Sequence, residues 1–600
     1  MRRTNSFLAA AITLSAAAAT CLAQNRVGYL TLEDSVSERH ATAGFLSAPS
    51  GLLLRDVIST FESIANDSNL KGLVIRVKDM PFTRTQIEEI APALSMIRAS
   101  GKKIHIFTEN YGTLEFLLGA HADELLMQTG GSASLTGLYM EELFLADALR
   151  KFGIEPSFVQ VGDYKGADEM FAKNAPSPQW EENINGLLDG LYHAMLDELA
   201  KGSGKTRGQI ERAMEELFFA DGARAIATGM LTAEIDRLDL DAHLAKRYGD
   251  DFVYEDDLWI SSEEEAPDFS KMGLFEAFGT IMRMFNEPAL PDISRDTIAI
   301  VHIDGAIVDG ESSPGGFFGE STVGALTIRE VLREIEDEPL IRGVIIRIDS
   351  PGGSATASEA IWQGIDRLKA SGKPVWVSVG SMAASGGYYI AVAGDRIYMN
   401  PSSIVGSIGV VAGKMGIAGL YEKLGINAVP RSRGPRSNMF GGLEPWTADE
   451  TALVRQRMVE TYDLFSSRVR SGRPGIDLSK AGEGRLFAAN RAVELRMVDA
   501  VGGLDRAVKD LALSIGLASD AYELRDYPAP KSFEEMIEEI FGFVRVRDIG
   551  SELALGAVNE IGREVLGRQA WRNLASHLEA MMQLRDQPVV LTAPRAIIVR

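Results

Sequence analysis

The sequence predicts an α/β protein made of two copies of one unit, each a series of parallel βαβ repeats. Three observations carry that prediction. Short runs rich in Val and Ile alternate with longer stretches of helical spacing, as in sheets whose parallel strands are joined by helices. The alternation occurs twice at a fixed offset: LKGLVIRVKD (70–79) matches LIRGVIIRID (340–349) when Gly72 is set on Gly343, and 343 − 72 = 271. Finally, 600 residues exceed what one hydrophobic core serves.

The elements of the unit follow in order. A strand at 27–32 is answered at 298–303. Val57, Phe61 and Ile64 pair with Ile328, Leu332 and Ile335, the buried stripe of a helix. The next strands end near 78 and 349. A second helix presents Ile90, Leu94 and Ile97 in one copy and Ile361, Ile365 and Leu368 in the other. SGKK (100–103) and SGKP (371–374) then lead into strands at 104–108 and 375–379. Further on, LFFADGARAIATGMLTAEIDRLDL (217–240) resembles LFAANRAVELRMVDAVGGLDRAV (486–508). The copies therefore span 24–252 and 297–525. Between them, 253–296 carries Ser261-Ser262-Glu263-Glu264-Glu265 and several prolines, and reads as a linker with a short helix. Residues 526–600 match nothing in the first half. Their apolar spacing over 533–585 predicts helices that dock on a partner or on a membrane face.

A hydrophobic content of 46% with 24% charged residues describes a globular chain. The net charge of −23 argues against a nucleic-acid partner, because phosphate binding needs a basic surface. At the N-terminus Arg2 and Arg3 precede FLAAAITLSAAAA, an apolar run of 13 residues where a membrane span needs about 20. Residues 1–23 thus read as an export signal cleaved after Ala23, with retention as an anchor or lipidation at Cys21 as the alternatives. Cys21 is the only cysteine, so the body of the protein has neither disulfides nor thiol chemistry.

The chemistry lies in what the copies do not share. In the second copy a strand ends in Asp349-Ser350-Pro351-Gly352-Gly353-Ser354; in the first it ends in Asp79-Met80-Pro81-Phe82-Thr83. Glycines at a strand-to-helix turn let backbone N–H groups face a ligand, as an oxyanion hole requires. Pro81 has no N–H and Phe82 fills the space. VGSMAASGGYYIA (379–391) sets Ser385 before two glycines, whereas the same offset puts Leu114, Glu115 and Phe116 there in the first copy. Of seven histidines the second copy holds only His302, so a Ser-His-Asp arrangement has weak support. Serine can instead use a lysine whose pKa burial has lowered. FVQVGDYKGADEMF (158–171) offers Lys165, and the matching INAVPRSRGPRSNMF (426–440) has arginines, which stay protonated, but no lysine. One copy keeps a lysine without the serine and the other keeps the serine without the lysine. These complementary losses point to one site assembled from both halves.

DSPGGSATASEAI (349–361), SMAASGGYYIA (381–391), NPSSIVGSIGV (400–410) and VGDYKGADEMF (161–171) resemble the S49 serine peptidases in their long, tandem-repeat signal peptide peptidase form, over most of 50–510. The resemblance implies a duplicated Clp-protease/crotonase-like fold and a Ser/Lys dyad, with Ser385 as nucleophile and Lys165 as general base. It further implies that Ser407 orients the lysine, and that Gly386 with Gly352 or Gly353 forms the oxyanion hole. It implies a homotetramer that degrades cleaved signal peptides and other short hydrophobic peptides, exported and held at the outer, periplasmic face of the cytoplasmic membrane. Gly166 departs from the family's serine and is expected to loosen the backbone beside the lysine. A crotonase-like acyl-CoA enzyme and an inactive peptide-binding scaffold are the rival readings; export signals and the retained Ser/Lys pair speak against them. Gly202-Ser203-Gly204-Lys205-Thr206 imitates a phosphate loop, but Leu199 stands where that motif needs glycine and 181–200 reads as a helix. No metal-ligand spacing occurs among the acidic residues, so no metal or cofactor is assigned.

Overall fold

A computed structural model describes residues 25–33, 35–39, 51–261, 292–313, 321–518 and 521–529, with the strand backbones of Val589–Thr592 and Ile598–Val599. The export segment 1–23 and the helices expected over 533–585 lie outside the described residues.

Each half is built on a parallel sheet whose central strands are buried on both faces, which is why they read as continuous apolar runs. In the first half Arg26–Leu32 lies between Val253–Glu255 and Leu70–Val77, followed by Lys103–Thr108, Glu124–Gln128 and Ala233–Ile235. In the second, Thr297–Asp304 lies between Glu523–Tyr527 and Ile341–Ser350, followed by Val375–Ala384, Arg396–Met399 and Ala500–Val501. The order is the same, and the first two strands start 271 apart in each case (297 − 26 and 341 − 70). Helices Leu54–Asn66 and Arg84–Ala99 cover the first sheet, and Ala325–Asp337 and Ala355–Ala370 the second. Both edge strands fall at or beyond the boundaries read from composition. Val253–Glu255 pairs with Arg26–Gly28 although it lies in the stretch read as linker, and Glu523–Tyr527 crosses residue 525. A short edge strand carries too little apolar pattern to be seen before its neighbour is known.

A third, mixed sheet joins the halves. Glu155–Val161 of the first half pairs antiparallel with Val410–Gly416 of the second, from Val161 opposite Val410 to Glu155 opposite Gly416. On its other edge Val410–Gly416 meets Val589–Thr592, which in turn lies against Gly352–Ser354.

Buried charge pins the same junction. Arg347, 2% exposed, donates to both carboxylate oxygens of Glu38 at 2.6 and 2.7 Å and to Ser378 Oγ at 2.8 Å, and lies 3.0 Å from Glu89. Glu89 also accepts from Asn400 Nδ2 and from the Leu504 amide, both at 2.8 Å. Its neighbour Glu88 accepts from Ser402, and burial pushes its pKa up to about 8. Glu38, Glu88 and Glu89 belong to the first half and their partners Arg347, Ser402, Asn400 and Leu504 to the second, so this is an interface held by paired charge.

Removing one member of a buried pair leaves the other uncompensated, at a cost of about 3–5 kcal/mol. Arg347→Met is expected to lose that much in denaturant unfolding. Arg76, its counterpart 271 positions earlier, pairs only with the half-exposed Glu109, so Arg76→Met is expected to cost about 1 kcal/mol or less. Equal costs for the two would mean that the cluster does not hold the halves together.

Candidate active site

Ser385 stands at the end of the strand Val375–Ala384, directly before the helix Gly386–Ala391. The chain reverses there so sharply that Ser385 takes φ +54° and ψ −113°, a conformation costly for a side chain. Its amide donates to Gly406 O at 2.8 Å, and its carbonyl accepts from the Tyr389 amide at 2.8 Å. The glycines after it are needed for space: a Cβ on Gly386 would lie 2.5 Å from Ser358 Oγ, and one on Gly387 2.9 Å from Ser350 O. In the first half the corresponding helix begins at Thr113, and 386 − 113 = 273. The helix cap opposite Ser385 is therefore Gly112 and not Leu114, because the intervening loops differ in length; neither residue carries a hydroxyl.

Lys165 follows the junction strand Glu155–Val161, after a turn at Gly162 with φ +108°. Pairing with Val410–Gly416 aims the turn into the second half. The Tyr164 amide donates to Glu483 O at 2.8 Å, which seats the loop against 482–485. The lysine is fully buried, with Nζ 2.7 Å from Ser385 Oγ, 2.9 Å from Ser407 Oγ and 3.0 Å from Ser407 O. All three contacts are neutral. With nothing to offset it, burial drives the amine well below the ordinary lysine pKa. Ser407 also has φ +54°, and its amide donates to Arg485 O at 2.6 Å; in this conformation its carbonyl and its hydroxyl both reach the amine. An uncharged amine at 2.7 Å can take the proton of the Ser385 hydroxyl.

The structure thus brings together, within one chain, the lysine and both serines that the sequence singles out. Of the two candidate glycines, Gly352 already donates its N–H to Ser350 Oγ at 3.1 Å. The Gly353 nitrogen lies 3.2 Å from where a Cβ on Gly386 would sit, so Gly353 and Gly386 are the amides that face one another. Gly166 does not loosen the loop. It sits at φ +60° with Trp180 packed so closely that a Cβ would come within 2.3 Å of the indole, and a serine there would displace the ring. His302 is engaged by Asp526 at 2.8 Å.

Two positions that sequence reasoning passed over hold the lysine. Gly484, at φ +88°, comes so near that a Cβ would lie 2.4 Å from Lys165 Cα, and a Cβ on Gly409 would lie 3.0 Å from Lys165 Cδ. Only their partner, more than 240 positions away, makes them more than turn glycines. Beside the site, Val589–Thr592 runs as an extended strand with Leu591 opposite Gly353 and Thr592 opposite Gly352.

A lysine whose folded pKa lies below its unfolded value, about 10.4, binds fewer protons folded than unfolded. Its cost to stability is full below the folded pKa and vanishes as pH rises past the unfolded one. Lys165→Met is expected to stabilise the protein, by about 1.4 kcal/mol for each unit of depression. The gain should be larger at pH 6 than at pH 10 in denaturant unfolding; a gain independent of pH would show that the amine is not depressed.

The family described as Peptidase family S49 matches residues 96–234 and 367–518, once in each half. Serine protease SPPA of Arabidopsis thaliana chloroplasts is 30% identical over 470 residues, covering 76% of this chain; the chain spans 65% of that protein's length. Protease 4 of Haemophilus influenzae is 28% identical over 81% of this chain and 76% of its own. A protein named as a protease in Synechocystis sp. is 30% identical over 40% of this chain and 81% of its own. With the tandem α/β architecture and the residues of the site, these matches establish that the chain belongs to peptidase family S49, and so to the serine peptidases.

Proposed function

We propose that this chain hydrolyses peptides through an acyl-enzyme formed on Ser385, with Lys165 as the general base. The observation that carries the reading is the fully buried amine 2.7 Å from the Ser385 hydroxyl, without a charged partner. A neutral amine has one lone pair and two N–H groups. The two N–H groups satisfy Ser407 O and Oγ, which turns the lone pair toward Ser385. As Oγ attacks the scissile carbonyl, its proton passes to Nζ. The N–H groups of Gly353 and Gly386 hold the developing oxyanion. Nζ then gives its proton to the leaving amine, and a water activated by the same lysine releases the acyl group.

The substrate enters as an extended backbone. Gly352–Ser354 and Val410–Gly416 flank a slot one strand wide, and the chain's own Val589–Thr592 lies in it with antiparallel pairing on both sides. Main-chain pairing of this kind accepts many sequences and gains specificity from side-chain pockets. That suits degradation of cleaved signal peptides and other short hydrophobic peptides. The apolar leader supports action on the exported side of the cytoplasmic membrane, with the chain as a membrane-associated homotetramer. Among the described residues no helix is long and apolar enough to cross a membrane, so the attachment is assigned to the leader.

An active-site serine probe tests the mechanism. Labelling is expected to vanish in Ser385→Ala and to fall at least 100-fold in Lys165→Ala; unchanged labelling in the lysine variant would sink the dyad. Since activity needs the neutral amine, kcat/KM should rise with pH through the lysine pKa. Ser407→Ala removes an acceptor that favours the ammonium most, so it should lower kcat and move the acid limb to lower pH. The tail strand and a substrate cannot share the slot. A chain ending at Pro588 is therefore expected to show a several-fold lower KM for a hydrophobic peptide with kcat little changed, measured by peptide hydrolysis.

A further inference from the structure

The two halves end their matching loops differently, and the difference leaves a surface uncovered. In the first half the helix Ala146–Phe152 closes at Gly153, φ +77°, and the chain continues as the strand Glu155–Val161. In the second half the helix Ala418–Lys423 is followed by Gly425, φ +69°. The local offset is now 272 (425 − 153), and KFGIEPSFVQVG (151–162) keeps its Lys and Ile and both glycines in step with KLGINAVPRSRG (423–434). Yet 427–433, the counterpart of the strand, has no strand partner among the described residues, and every residue from 422 to 438 is exposed. Leu424 is 63% and Val429 71% exposed. Apolar side chains concentrated in this way mark a contact surface.

The same internal symmetry identifies what it contacts. Val410–Gly416 has a strand on each side, Glu155–Val161 on one and Val589–Thr592 on the other. Its counterpart 272 positions earlier is 138–144. There Leu138–Tyr139 pairs with Ile598–Val599 of the tail, and the two form a two-stranded sheet with no third strand among the described residues. Along this stretch Tyr139, Glu141 and Leu143 are exposed while the residues between them are half-buried, as on a strand with one free side. The tail thus takes one side of both counterparts. The junction strand takes the second side only in the second half.

We propose that residues 427–433 of one copy of this chain pair antiparallel with residues 138–144 of a second copy, repeating between chains the contact that joins the halves within one. The register carries over by 272: Val161 opposite Val410 becomes Arg433 opposite Leu138 of the second copy, and Glu155 opposite Gly416 becomes Asn427 opposite Phe144. Charge agrees, since the exposed Arg431 and Arg433 approach a stretch that carries Glu141 and Glu142. Each copy gives one segment and receives another, so the contact is heterologous and propagates from chain to chain until it closes. The Lys165–Ser385 pair forms within one chain, so this contact builds the assembly and not the site. It deepens the homotetramer reading above by naming the surfaces.

Paired cysteines test the register on the full chain in a Cys21→Ser background. Ala428→Cys with Leu143→Cys places thiols directly opposite one another across the ladder, within disulfide reach. Mild oxidation is expected to give a ladder of covalent multimers, reversed by thiol and absent from either single variant. Separately, Val429→Asp and Leu143→Asp are expected to reduce the light-scattering mass to that of one chain while the serine-probe labelling persists. No ladder, together with an unchanged mass for both aspartate variants, would overturn the proposal even if the wild type is oligomeric. Loss of labelling in an intact assembly would instead overturn the peptidase reading alone.

Discussion

The site depends on one antiparallel ladder, the seven residues of Glu155–Val161 laid against Val410–Gly416. Neither half holds a complete set of reacting groups. The ladder carries the turn at Gly162 across the junction and sets Lys165 under Ser385. Everything that stiffens the junction therefore acts on the site. The Arg347–Glu38–Glu89 cluster, the Glu88–Ser402 contact and the seating of Tyr164 on Glu483 all oppose separation of the halves. Their role is positional, since a displacement of about 1 Å at reacting groups costs on the order of 100-fold.

The chemistry rests on solvent exclusion rather than on charge pairing. Buried ionisable groups elsewhere at the junction are matched by opposite charge, as Arg347 is by two carboxylates. Lys165 has only hydroxyl and carbonyl partners, and so its burial penalty is met by losing the proton. The same arrangement lowers stability at neutral pH. Ser385 and Ser407 add two strained backbones at φ +54°. Strain and an unpaired lysine concentrated in one place are costs that the rest of a well-packed fold must offset.

Duplication explains how such a site arises. Two copies of one sheet each bring the same turns to the same end, so one copy can keep the lysine loop while the other keeps the serine turn. What each gave up is filled with packing groups, as Phe82 fills the space beside Pro81. The second copy's unused lysine loop did not collapse onto its own half but remained extended in solvent. A segment kept in that form fits a role between chains.

Much of this was legible in the amino-acid order. The 271-residue offset, the apolar runs of the central strands, the helical stripes and the glycine turns are local patterns, and local patterns dictate parallel strands joined by helices. The complementary presence of Ser385 and Lys165 needs only a comparison of one half with the other. Tertiary structure decided the rest. Which of Gly352 and Gly353 faces Gly386 depends on a hydrogen bond to Ser350. Gly166 is required by an indole 14 positions away, and Gly484 by a lysine in the other half. The edge strands at 253–255 and 523–527 are strands only because a neighbour offers its free side. Periodicity is written along the chain, whereas excluded volume, desolvation and pairing at an edge exist only once distant segments meet.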